Sequence, residues 1–109
     1  MPYLRFDGFT KEDLSPLIPR ITREFANTAE VDEEKVKVEL CQSERLTNSP
    51  RYLEIRMFQR SQDKHDRIVA VLDDILQSGG FKETHIFYII LSPQLYYKNG
   101  KPLSGYVIR

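Results

Sequence analysis

The sequence is poor in several things, and each shortage narrows what the protein can be. It holds one cysteine, Cys41, so no disulfide can close within the chain, and nothing around that thiol marks it as activated. Sixteen basic and sixteen acidic residues cancel to a formal net charge of zero. A nucleic-acid binder of this size carries a basic excess or a basic stripe; neither is present, so no nucleic-acid partner is expected. The longest apolar run, residues 86–91, is far too short to cross a bilayer. No signal-peptide pattern is visible, which makes the cytoplasm the expected compartment, with no membrane partner. His85 has no second ligand at metal-binding spacing, and His65, set among Lys64, Asp66 and Arg67, is expected in solvent. Neither a metal nor a cofactor is expected.

What is present describes an ordinary folded domain. Hydrophobic residues make up 40% and charged residues 29% of the 109, which fits a single domain over residues 1–109. Residues 2–9 alternate as a strand, with Leu4 and Phe6 on one face and Tyr3, Arg5 and Asp7 on the other. Thr10, with Asp13 three residues on, opens a helix. Pro16 and Pro19 should kink or restart it, with Ser15 as a second N-cap. Leu14, Leu17, Ile18, Ile21 and Phe25 recur at helical spacing and should face the core. A second strand follows, with Val36, Val38 and Leu40 on its buried face, and then a polar connection over residues 43–50.

The third strand carries Leu53, Ile55 and Met57 inward and Tyr52, Glu54, Arg56 and Phe58 outward. Ser61 caps a second helix with apolar positions Ile68, Val69, Leu72, Ile75 and Leu76, ended by Gly79-Gly80. Residues 85–91 form a fourth strand that is apolar on both faces. Asn99-Gly100 marks a closing hairpin over about 95–103. Tyr3-Leu4-Arg5-Phe6 before Thr10 is echoed by Tyr52-Leu53-Glu54-Ile55 before Ser61. The chain therefore reads as two strand–helix–strand repeats, about 2–42 and about 51–91, in an α+β fold. A doubled βαβ gives strand order 2-1-3-4, and the competing ferredoxin-like arrangement gives 4-1-3-2. With both helices on one face, the other face of the sheet would be left apolar and open. Burial against copies of itself is the economical solution.

The first six residues, Met1-Pro2-Tyr3-Leu4-Arg5-Phe6, are the clearest candidate for chemistry. Removal of Met1 would leave Pro2 as a secondary amine at the end of a rigid strand, and a base works best when it is held still. Arginines are the candidate anion clamps, because a guanidinium grips a carboxylate through two parallel hydrogen bonds. Arg5 and Arg56 have a competing use in cross-strand ion pairs, with Glu54 the natural partner of Arg5.

With Pro2, the doubled βαβ and the apolar second face, the chain resembles the tautomerase superfamily, which includes 4-oxalocrotonate tautomerase and macrophage migration inhibitory factor. Its Met-Pro-x-Leu-x-Phe start and Tyr-Tyr-x-x-Gly hairpin are most similar to an uncharacterised bacterial branch. The resemblance covers residues 2 to about 103. It implies a four-stranded mixed sheet with two helices on one face and a short C-terminal hairpin, assembled as a homotrimer. It also implies Pro2 as the catalytic base or acid that moves a proton next to a carbonyl of a small 2-oxo acid or enol. Arg60-Ser61 matches an arginine and helix-capping serine that bind the substrate carboxylate in 4-oxalocrotonate tautomerase. Here the pair stands in the second repeat, while the first has Phe9-Thr10. Arg60, Arg5, Arg56 and Tyr97 are thus the candidate substrate-binding residues for a small acidic molecule. Tyr96 and Tyr97 would form an aromatic wall or pack the hairpin at a subunit interface. A non-catalytic trimeric binding or scaffold protein of the same fold is the alternative.

Overall fold

A computed structural model describes residues 1–103 of the chain; residues 104–109 of the expected single domain lie outside that description. Strand β1 (Tyr3–Asp7) leads to a helical run built of α1 (Lys11–Leu14), a short 3-10 turn (Ser15–Leu17) and α2 (Ile18–Ala29). Strands β2 (Lys37–Cys41) and β3 (Tyr52–Phe58) follow, then the long helix α3 (Gln62–Ser78) and strand β4 (His85–Leu91). A hairpin of β5 (Tyr97–Lys98) and β6 (Lys101–Pro102) completes the described chain. The main sheet has the order β2-β1-β3-β4, the doubled-βαβ arrangement rather than the ferredoxin-like one. β1 pairs parallel with β2 and antiparallel with β3, and β3 pairs parallel with β4.

Local chemistry accounts for the elements. Thr10 accepts the Asp13 amide at 3.1 Å and caps α1. Ser15 is not the second N-cap: its backbone is helical, and its hydroxyl donates back to the Lys11 carbonyl at 2.7 Å. The prolines instead sit in the first positions of the 3-10 turn and of α2, where a missing N–H leaves no gap in the helical bonding. Ser61 caps α3 by accepting the Lys64 amide at 3.2 Å. At its other end the Phe81 amide donates to Leu76 O at 2.9 Å, with left-handed Gly80 (φ 90°) making the turn. Asn99 (φ 54°) and Gly100 (φ 76°) both take positive φ, the type I′ geometry that suits a two-residue hairpin.

The core lies between α2, α3 and one face of the sheet. Leu4, Phe6, Ile21, Phe25, Leu53, Ile55, Ile68, Ile75 and Leu76 are fully buried there. Two faces are covered differently from expectation. Val38 and Leu40 are half-buried, because β2 is an edge strand beyond the reach of full helix cover. Phe58, expected on the open face, is buried: the Tyr96 ring meets it edge-on at 5.6 Å, folded back by the C-terminal segment. At the other edge β4 remains open, with Phe87, Ile89 and Ile90 each 40% or more exposed.

Candidate active site

The parallel pairing of β1 with β2 sets Tyr3 opposite Lys37, and the Lys37 amide donates to the Pro2 carbonyl at 3.0 Å. Pro2 is buried at this end of the sheet. It lines a cleft of about 730 Å³, walled by Tyr3, Met57, Phe58, Tyr96 and Tyr97 and rimmed by Lys35, Lys37, Lys98 and Arg60. Two acids, Glu30 and Asp32, also reach the rim. Each already has a cation: Glu30 pairs with Lys64 at 3.1 Å, and Asp32 with Lys35 at 3.6 Å. The aromatic wall is tied to β1, since the Tyr3 and Tyr96 hydroxyls lie 3.4 Å apart. That hydrogen bond, followed by burial, holds the Tyr96 hydroxyl above its ordinary pKa.

Burial, then the charges of Lys37 and Lys35, lower the pKa of the Met1 amino group below its usual 8.0. Pro2 lies one residue further in.

Arg60 reaches the cleft from the junction between β3 and α3. Its Nη1 donates to the Ala29 carbonyl at 2.7 Å, bonding it to the C-terminal end of α2, where a cation is favoured. A guanidinium carries five N–H donors, so this contact leaves others for an anion. Its backbone amide donates to Nε2 of His65 at 2.9 Å.

The sequence pattern of the family described as "Domain of unknown function (DUF1904)" matches residues 1–102. The chain belongs to the DUF1904 family. A DUF1904 domain from Sebaldella termitidis ATCC 33386 superposes with a TM-score of 0.84 at 20% identity, over 94% of this chain and 100% of that one. A protein of unknown function from Vibrio cholerae O1 biovar eltor str. N16961 gives 0.84 at 24% identity, over 94% and 87%. The macrophage migration inhibitory factor of Trichinella spiralis gives 0.74 at 14% identity, over 93% and 99%. This DUF1904 chain therefore has the tautomerase/migration-inhibitory-factor fold. No functionally curated protein matches it in sequence.

Of the candidates read from sequence, the DUF1904 fold brings Pro2, Arg60 and Tyr97 to one cleft. Arg5 and Arg56 stand on the open face of the sheet and do not line it. Arg5 pairs with Glu39 at 3.3 Å across the parallel strands, not with Glu54 as expected. Glu54 is held by Arg56 on its own strand. His65 is another correction: it is buried, with its ring 4.3 Å from that of Tyr88. The first turns of α3 lie over β4, so a residue flanked by charges in sequence faces inward. Lys35 and Lys37 were missed, although the signal was legible: in a parallel βαβ, the start of the second strand lies beside the start of the first. Among the described residues, no group of three or more His, Cys, Asp or Glu side chains is placed to hold a metal. No described helix is long and apolar enough to cross a membrane.

Proposed function

We propose that this protein is a tautomerase-like isomerase of small 2-oxo acids or their enols, working through the amine of Pro2 after removal of Met1. The observation that carries the reading is the cleft itself: the Pro2 end of β1, Arg60, Lys35 and Lys37 share one concave site, where burial and the two lysines lower the pKa of the Met1 amino group. In the proposed step the neutral amine takes a proton from the carbon next to the carbonyl; the electron pair of that C–H bond forms the new C=C bond, and the π pair of the carbonyl moves onto its oxygen as an enolate. The resulting ammonium returns the proton to carbon or to oxygen, so atoms and charge balance. Arg60 holds the carboxylate, and the wall of Tyr97, Tyr96 and Phe58 excludes water. The amine must be deprotonated to act, so the rate should rise with pH as the amine loses its proton.

The same fold supports assembly as a trimer. R7 fused 4-OT, similar in structure at a TM-score of 0.73 and 16% identity, forms an asymmetric trimer. Here the exposed Phe87 and Ile89 on the open sheet face are the surface such an assembly would bury.

The test is α-proton exchange of 2-oxobutanoate in deuterated water, followed by NMR. The wild-type protein should catalyse exchange, and Pro2→Ala should slow it by roughly 10²-fold or more with little change in melting. If both proteins leave the probe unexchanged, the non-catalytic trimeric binding protein becomes the better reading.

A further inference from the structure

His65 is placed as few surface histidines are. It lies in the first turns of α3 and is 92% buried by its 8% relative exposure. Its Nε2 accepts the Arg60 amide at 2.9 Å, so the neutral ring carries its proton on Nδ1. That Nδ1 is buried and has no hydrogen-bond partner among the described residues. Around the ring, the Tyr88 hydroxyl donates to the His65 carbonyl at 2.8 Å, and the two rings stack at a tilt. The His65 amide in turn bonds the Ser61 carbonyl at 3.0 Å. The groups acting on this imidazole are Tyr88 from β4, Arg60 from the junction and Asp66 on its own helix. Glu30, at the end of α2, is held by Lys64.

We propose that His65 is a positioning residue for Arg60: its neutral imidazole holds the Arg60 amide and so fixes the junction from which the guanidinium enters the cleft, and protonation releases that junction. The inference rests on the reading of Arg60 as the carboxylate clamp. The physical reason is a clash of donors. An imidazolium presents N–H at both nitrogens, so Nε2–H would face the Arg60 N–H where an acceptor is required. A charged ring would also be buried with no hydrogen bond to a carboxylate among the described residues.

The electrostatics agree in sign. Burial, and then the Arg60 charge, lower the His65 pKa from its ordinary 6.5, with Asp66 acting the other way. Just below that value the unfolded chain binds more protons than the native state. The stability contributed by neutral His65 is therefore present at neutral pH and lost as pH falls from 6.5 towards the lowered native pKa. Simple charge attraction would give the opposite trend for ligand, because added positive charge near the cleft strengthens anion binding at low pH.

The experiment has two readouts. The first needs no variant: the backbone ¹H–¹⁵N resonance of Arg60 and the His65 ring are followed by NMR against pH. The second is calorimetric binding of 2-oxobutanoate at about pH 5 and about pH 7 to wild type, His65→Gln and Arg60→Ala. Glutamine offers an acceptor oxygen that does not titrate. The expected result is that the Arg60 amide moves with the His65 midpoint. Wild-type affinity should be about tenfold weaker at the lower pH, with net proton uptake on release. His65→Gln should bind with little pH dependence, and Arg60→Ala should bind weakly throughout. An Arg60 amide that ignores the His65 titration overturns the proposal while leaving the clamp intact. Wild-type affinity in Arg60→Ala refutes the clamp itself, and the positioning role falls with it.

Discussion

Pro2 and Arg60 are far apart in sequence and reach one cleft because different parts of the fold deliver them. β1 carries Pro2 at its start; the junction between β3 and α3 carries Arg60, tied by Nη1 to the end of α2. Arg56, four residues before Arg60, points to the opposite side of the sheet and pairs with Glu54. The two arginines should therefore separate in kinetics. Arg60→Ala should raise KM for an acidic substrate about tenfold to a hundredfold, the worth of a charged hydrogen-bonded contact, with a smaller effect on kcat. Arg56→Ala should leave both near wild type. Equal effects of the two substitutions would count against Arg60 as the clamp. Pro2 stands out by its position, and its role and that of Arg60 come from the resemblance to the tautomerase superfamily; both line the cleft. His65 does not stand out, because its neighbours in sequence are charged and only the packing of α3 over β4 shows that its side of the helix is buried.

Among the elements, the end of β1 opposite Pro2 is a latch. Asp7 is buried, and its carboxylate accepts Ser43 and Arg45 at 2.9 Å and the Tyr52 hydroxyl at 3.2 Å. Arg45 also donates to the Pro50 carbonyl at 3.2 Å, so one acid fastens the polar connection of residues 43–50 to both β1 and β3. Asp7→Ala would leave three donors without their acceptor. It should lower unfolding free energy by about 2–4 kcal/mol, seen as a lower urea midpoint, with α-proton exchange intact while the chain is folded. Loss of exchange at full stability would place Asp7 in the chemistry instead. The elements themselves were largely readable from alternation, helical spacing and Gly or Pro punctuation. The division of the first helical run was legible only as a kink. Ser15 is ambiguous in sequence because its hydroxyl can accept as an N-cap or donate to the preceding turn, and the helical backbone before Pro16 selects the second.

At the scale of the molecule, the order β2-β1-β3-β4 follows from two parallel βαβ units placed back to back. That order leaves a sheet face and two strand edges without helix cover. Phe58 is shielded by Tyr96 from the chain's own C-terminal segment, whereas Phe87 and Ile89 stay exposed. Repetition in the sequence made the doubled unit visible, but the fold-back of Tyr96 onto Phe58 depends on tertiary geometry that no local pattern encodes. Sedimentation equilibrium should give about three times the 12.8 kDa chain mass. Charged substitutions at Phe87 and Ile89 should shift that value towards one chain. A wild-type monomer across the concentration range would contradict the proposed assembly.

The most direct test of the proline mechanism is the intact mass of protein expressed at low level and treated with 2-oxo-3-pentynoate, the compound that inactivates the similarly folded Pt0534. The expected product is a chain lacking Met1 that gains one adduct, mapped by fragmentation to Pro2 and absent from Pro2→Ala. A chain that keeps Met1, or one that loses it and stays unlabelled, would contradict Pro2 as the reactive amine.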